Sequence, residues 1–290
     1  MELGVNKEVN LQHDKSNRTV MAKQGQSNRV PSLKKLLYFT VALLLIRLPA
    51  SAESNPVIHI VTEHLPPYQI EGKNKTLSGF AVDIIKETMA RSHYAYSLKS
   101  YPWVRSYKLA QKKANHCIFS IARLKSREHL FKWVGPISHV SNTALWALKG
   151  KTFNVSSLND AKQYTIAVNR DDIAHTGLIE RGFNEGEHLY VLDDAKSLVN
   201  LLITRPEIDF IVADHITIKF RTEYAKAAID DLQLIYEITE LPLNFFFACS
   251  TKTDDKVVAH LTETLESLYQ DGSHKAIMDK WRNQLFRENL

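Results

Sequence analysis

The residue types that do chemistry are present in this sequence, but their spacing favours recognition over catalysis. Only His13 of the 12 histidines precedes residue 53. The others, from His59 to His274, form no pair spaced to put two imidazoles on one helical face for a metal ion. No Gly-x-Ser-x-Gly elbow, P-loop or Gly-x-Gly-x-x-Gly occurs. Asp193-Asp194, Asp230-Asp231 and Asp254-Asp255 read as turn or helix-start acids rather than catalytic pairs, and His64 reads as a surface or cleft-rim histidine. No catalytic residue, metal or cofactor is therefore expected, and the chain reads as a non-enzyme. Arg123 and Arg127 stand four apart beside Glu128, and a planar guanidinium can grip both oxygens of a carboxylate. Asp214 ends the apolar run Phe210–Ala213, where a carboxylate can cap a following helix. Trp103 offers a face that attracts cations at close range.

The 290 residues carry a formal net charge of +5, which invites a nucleic-acid reading. Position removes it. Residues 1–52 hold eight of the 37 Lys/Arg and three of the 32 Asp/Glu, so the chain from Glu53 onward is formally neutral. A neutral body lacks the basic footprint that phosphate binding requires. Lys34-Lys35, the apolar run Leu36–Ile46 and the small residues Ala50-Ser51-Ala52 make the three parts of a secretory signal peptide over about 33–52, cut after Ala52. The run is too short to span a bilayer, and Arg47 and Pro49 close it. Residues upstream are expected to be disordered or untranslated, with Met1 or Met21 as the start. The mature product is thus expected to be soluble in the periplasm. Cys117 and Cys249, both in short apolar runs, read as buried free thiols in a compartment that permits oxidation, with a disulfide as the alternative should the fold bring their Cα atoms within about 7 Å.

What must position these groups is an alternation of strands and helices. Val57–Val61, Ala95–Leu98, Cys117–Ile121, Ala144–Leu148, Thr165–Val168 and Phe210–Ala213 are apolar runs of strand length. Phe80, Ile84 and Thr88 share a helical face. Val104–Ala114 and Ala195–Thr204 read as helices, and Val258, Leu261, Leu265 and Leu268, then Ile277, Trp281 and Leu285, make two amphipathic closing helices around Gly272. This is α/β order with mostly parallel sheets, whose crevices lie at strand carboxyl ends.

Seven segments, in order, resemble the bacterial extracellular solute-binding proteins of family 3, periplasmic polar-amino-acid receptors of ABC importers. They are Val61–Tyr68, Leu77–Ile84, Ser120–Arg127, Phe131–Pro136, Ser157–Asp160 before Tyr164–Val168, Ile208–Asp214, and Asp271–Ser273 through Lys280-Trp281. The resemblance covers essentially all of 53–290. It implies a two-lobe type II periplasmic-binding fold closing over an interlobe cleft. Lobe 1 would comprise 53–140 plus 241–290 and lobe 2 141–240, with crossings near Ile137–Ser141 and Thr239–Asn244.

The resemblance also implies roles. Arg127 stands where the family's carboxylate clamp stands, with Arg123 as rival, and Asp214 where its ammonium-binding Asp lies. Tyr68 and Trp103 match its aromatic walls, Ser120 its strand-end donor, and Glu63 belongs to the same candidate set. The chain departs from the pattern in carrying Ala122 and Leu124 where threonines are common. Asn169-Arg170-Asp171-Asp172 replaces a Gly-Thr turn, so Asp171 or Asp172 is expected to cap the next helix while Arg170 reaches the ligand. The implied function is capture of a small polar solute, an amino acid or relative, for an inner-membrane ABC permease, by a protein acting as a monomer. The alternatives are a ligand sensor working through a separate membrane partner and, less favoured, a dehydratase-like enzyme.

Overall fold

The computed structural model describes residues 55–139, 142–193, 197–241 and 244–287. The leader and its cut after Ala52 lie outside these residues, as do Asp194, the start of the helix expected over Ala195–Thr204, and parts of both expected crossings. The strands are β1 (Ile58–Thr62), β2 (Ile70–Glu71), β3 (Leu77–Ser78), β4 (Tyr96–Ser100), β5 (His116–Ala122), β6 (Phe131–His139), β7 (Thr143–Leu148), β8 (Ile166–Asn169), β9 (Leu189–Leu192), β10 (Phe210–Asp214), β11 (Leu232–Ile238) and β12 (Asn244–Ser250). The α-helices are α1 (Phe80–Ser92), α2 (Trp103–Lys112), α3 (Ile173–Ile179), α4 (Leu198–Thr204), α5 (Thr217–Tyr224), α6 (Asp255–Gln270) and α7 (Ser273–Arg287).

Two five-stranded sheets form, in the orders β4-β1-β5-β12-β6 and β11-β7-β10-β8-β9. In the first, β12 runs against β5 and β6, while β1 is parallel to β4 and β5. In the second, β7 runs against β10 and β11, while β8 is parallel to β9 and β10. Each sheet therefore has one reversed strand among otherwise co-directional ones.

Both faces of each sheet are covered, which is why the inner strands are mostly apolar instead of strictly alternating. In the first sheet, Ile58 and Ile60 of β1 pack with Phe80, Ile84 and Ile85 of α1 and Leu261, Leu265 and Leu268 of α6. Val61 points the other way, toward Trp103, Tyr107 and Ala110 of α2. The second sheet divides likewise. Leu145, Val168 and Val212 meet Ala174 and Leu178 of α3, while Ala144, Ala167 and Ile211 meet Leu198 and Leu202 of α4.

The cysteine expectation is corrected. Cys117 of β5 and Cys249 of β12 are register partners on adjacent antiparallel strands and form a disulfide. Both half-cystines are buried, as their apolar runs imply, and the free-thiol reading gives way to the disulfide alternative. The bridge closes a loop of 132 residues that contains the entire second sheet.

Several elements carried no clear periodic signal. β6 holds Gly135 and Pro136, and it occupies a sheet edge, where a missing N–H is tolerated. α3 contains Gly177, where a Cβ would lie 2.3 Å from a Leu241 methyl, so close packing decides the residue against its helix propensity.

Candidate functional site

The carboxyl ends of β1, β5, β8 and β10 converge on an inner cavity of about 60 Å3. It opens past Glu63, Leu65, Trp103, Asn169 and Arg221 into an outer cleft of about 730 Å3 lined by both sheets' connecting segments. The strand-end position follows from the α/β layering, since the helices that cover both faces leave only these ends open.

Asp214 is 3% exposed and faces the inner cavity. Its Oδ1 accepts from the Ile216 and Thr217 amides at 2.9 and 3.0 Å and from the Tyr68 hydroxyl at 3.4 Å. Its Oδ2 accepts from the Thr217 hydroxyl at 2.6 Å. The chain after β10 thus turns into α5 with Asp214 satisfying its first amides. Tyr68 does not wall the cavity. It lies fully buried beneath Asp214, edge-on to Phe80 and Phe245 with ring centroids 4.8 Å apart. Burial, and then the Asp214 charge, push its hydroxyl well above the usual phenol range, so it stays a neutral donor to the carboxylate.

Trp103, 7% exposed, lines both spaces, as does Glu63. Its indole Nε1 donates to the Asp171 carbonyl at 2.6 Å, a bond from the first sheet's helix α2 to the turn after β8 of the second. Ser120 also lines the cavity, with φ of 57° and its hydroxyl donating to Gln69 Oε1 at 2.8 Å. A non-glycine residue at positive φ is uncommon, and such strain gathers at functional sites.

Arg127 lines the inner cavity and is 1% exposed. Its Nη1 donates to the Ala122 carbonyl at 3.1 Å. Its Nη2 reaches across to the second sheet, to the carbonyls of Asp171 at 2.7 Å and Asp172 at 3.0 Å and to Thr176 Oγ1 at 3.2 Å. Nε is buried without a hydrogen-bond partner. Desolvation outweighs the nearby charges and pulls the guanidinium below its ordinary range.

Besides Tyr68, two further candidates lie outside the cavity and cleft linings. Arg123 pairs with Glu128 and sits 5.2 Å from the Trp133 ring centroid on the surface. Arg170 turns to Asp193 at 2.7 Å and Glu185 at 3.3 Å instead of reaching inward. Part of the reason is local. Asp171 adopts φ of 59° and Asp172 caps α3 through the His175 amide at 2.7 Å, which turns the Arg170 side chain toward the outer carboxylates. Desolvation pushes the Asp172 carboxyl above its ordinary range.

Residues missed from sequence include Thr143, Thr217 and above all Arg221, which lines both cavity and cleft. No local signal marked Arg221, whose place follows from α5 starting at Thr217, directly after the Asp214 turn, and from its bond back to the Val212 carbonyl of β10. His64 borders the outer cleft, its Nδ1 accepting from the Glu71 amide at 2.9 Å. Among the described residues there is no cluster of three or more side chains able to hold a metal ion, and no helix long and apolar enough to cross a membrane.

The profile of the bacterial extracellular solute-binding proteins, family 3, matches residues 57–284. The chain belongs to this family. Its fold is accordingly the two-lobe α/β arrangement of type II periplasmic binding proteins, and the family is one of binders. By sequence, none of the curated proteins matches the chain. Solved structures with the same fold include a histidine kinase sensor domain similar to periplasmic binding proteins, at TM-score 0.66 and 18% identity, covering 78% of this chain and 96% of that one. The arginine-, lysine-, histidine-binding protein ArtJ of Geobacillus stearothermophilus gives 0.64 and 18%, covering 78% and 95%. A structure from work on glutathione import through GshT and a cystine ABC importer in Streptococcus mutans gives 0.64 and 16%, covering 78% and 94%.

Proposed function

We propose that this family member is an exported receptor that binds a small polar solute, an amino acid or a close relative, and delivers it to an ABC-type permease of the inner membrane. The observation that carries the reading is the joining, in one enclosure at the strand ends, of a buried carboxylate, Asp214, with two guanidinium groups, Arg127 and Arg221. A zwitterion needs an acceptor for its ammonium and donors for its carboxylate. Withdrawn from water, such partners discriminate strongly against ligands lacking either charge. Asp214 Oδ2 holds one hydroxyl donor and has room for an ammonium. Glu63, Ser120 and Trp103 complete the walls.

In this reading the signal is cleaved after Ala52 and the monomeric product works in the periplasm. Residues 53–140 plus 241–290 form one lobe and 141–240 the other, and the two hinge shut over the solute. Titration calorimetry and thermal melts against the twenty amino acids, polyamines and small organic acids test it. A true ligand at ~100 times its dissociation constant should stabilise by ~2.7 kcal/mol. Failure of every compound to bind or stabilise would sink the amino-acid reading.

A second reading is a ligand sensor acting through a separate membrane partner. Its support is the likeness to a histidine kinase sensor domain, 96% of which this chain covers. Co-purification with a permease or with a receptor kinase separates the two. The dehydratase-like alternative is tested by turnover of prephenate-like acids.

A further inference from the structure

Both cavity-lining guanidinium groups are candidates for a solute's anionic end, and their hydrogen bonds set them apart. A guanidinium grips a carboxylate along one of two edges, Nε–Nη2 or Nη1–Nη2, and both include Nη2. In Arg127 that atom already holds the Asp171 and Asp172 carbonyls and the Thr176 hydroxyl. Neither edge is open unless those bonds between the two sheets break.

Arg221 is arranged differently. It is half-buried and stands at the junction of inner cavity and outer cleft. Among the described residues it makes one hydrogen bond, Nη1 to the Val212 carbonyl at 3.2 Å, and no ion pair. That bond leaves its Nε–Nη2 edge unengaged. It also folds the side chain back along α5 to β10, whose last residue is Asp214, and both residues line the inner cavity. The Arg221 charge is near enough to act on both Tyr68 and Asp172.

We propose that Arg221, and not Arg127, receives the carboxylate of the bound solute. Arg127 is then a latch that ties the turn after β8 to the first sheet and closes the cavity floor. The solute class this selects is an α-amino acid with a free carboxylate, its ammonium on Asp214. The inference rests on the receptor reading above, and the test separates the two.

The probes are the tightest binder among the twenty L-amino acids and the same compound as its α-carboxamide, which lacks the anionic group. In the unaltered protein the acid should bind at least about 30-fold more tightly than the amide, the range for loss of one desolvated charge partner. Arg221→Gln should shrink that ratio at least tenfold. Arg127→Gln should weaken both probes alike and keep the ratio. Arg221→Lys, which retains the charge without the fork, is the second variant should the glutamine variant fail to fold, and its ratio should fall at least threefold. A ratio unchanged in the Arg221 variants, or one that collapses in Arg127→Gln, overturns the proposal, as does an unaltered protein that binds acid and amide equally. In each of those cases an amino acid still binds and the receptor reading stands. If no amino acid binds, that reading falls and this one with it.

Discussion

Arg127 offers a direct test of whether the lobes are held together without ligand. A guanidinium in an open, water-filled cleft would be dispensable to the unliganded fold, and removing it would leave the melting temperature unchanged. Here Arg127 is 1% exposed and four acceptors surround its two Nη atoms. Hydrogen bonds from a charged donor contribute about 1.5–3 kcal/mol each, so a naive sum over four approaches 10 kcal/mol. Burial of the charge opposes that sum, as its depressed pKa shows. Opening of the cleft would also let water reach the abandoned carbonyls. A net loss of about 2–4 kcal/mol is the expected result for Arg127→Met, which keeps the stem length. For a body of this size that is a fall of about 4–16 °C in the unliganded midpoint. Calorimetry without ligand measures it, and scattering should show a larger radius for the variant. A midpoint within 2 °C of the unaltered protein, with an unchanged radius, would refute the latch.

Reduction of Cys117–Cys249, or replacement of both by Ala, should cost up to about 5 kcal/mol from loss of a 132-residue loop constraint, read by urea unfolding with and without reductant. For Asp172, the folded pKa is raised above the 3.8 of the free side chain, so the native state binds more protons than the unfolded chain above that value. Stability should therefore fall as pH rises from about 4 through the raised pKa. Asp172→Asn, whose amide oxygen can still accept from the His175 amide, should lack that fall and be at least as stable at pH 7; a loss above about 1 kcal/mol there would contradict it. Gly79→Ala should destabilise by about 2–4 kcal/mol, because the backbone sits at φ +122° and the new Cβ would meet the Tyr68 carbonyl oxygen at 2.4 Å. A melt within 1 °C of the unaltered protein would show that the turn beneath Asp214 yields freely.

Composition and periodicity determined the class of fold. The expected runs Cys117–Ile121 and Phe210–Ala213 lie wholly in strands, and Val57–Val61 and Thr165–Val168 do so but for their first residues, because a strand covered on both faces is mostly apolar. Helical spacing at Phe80, Ile84 and Thr88 and at Leu261, Leu265 and Leu268 marked buried faces for the same local reason. Edge strands such as β6 and β11, half polar and interrupted, left no comparable pattern. The ordered motifs also contain Asp214, Ser120 and Arg127, all of which line the cavity, since strand ends are where this layering leaves an opening. Tertiary structure decided the remainder. Cys117 and Cys249 became a bridge only because β12 returns beside β5, a pairing across 132 residues that no local signal encodes. Arg123 and Arg127 differ by one helical turn in sequence and completely in fate. One finds Glu128 at the surface, and the other is buried against carbonyls of a different sheet. Arg170, expected to reach the ligand, is held outside by Asp193 and Glu185, while Arg221, for which the sequence raised no expectation, is drawn to the cavity edge by the Val212 carbonyl. A long charged side chain takes its position from whichever acceptor the assembled fold brings within reach, and for Arg127 and Arg170 the deciding acceptors lie 15 or more residues away in the chain.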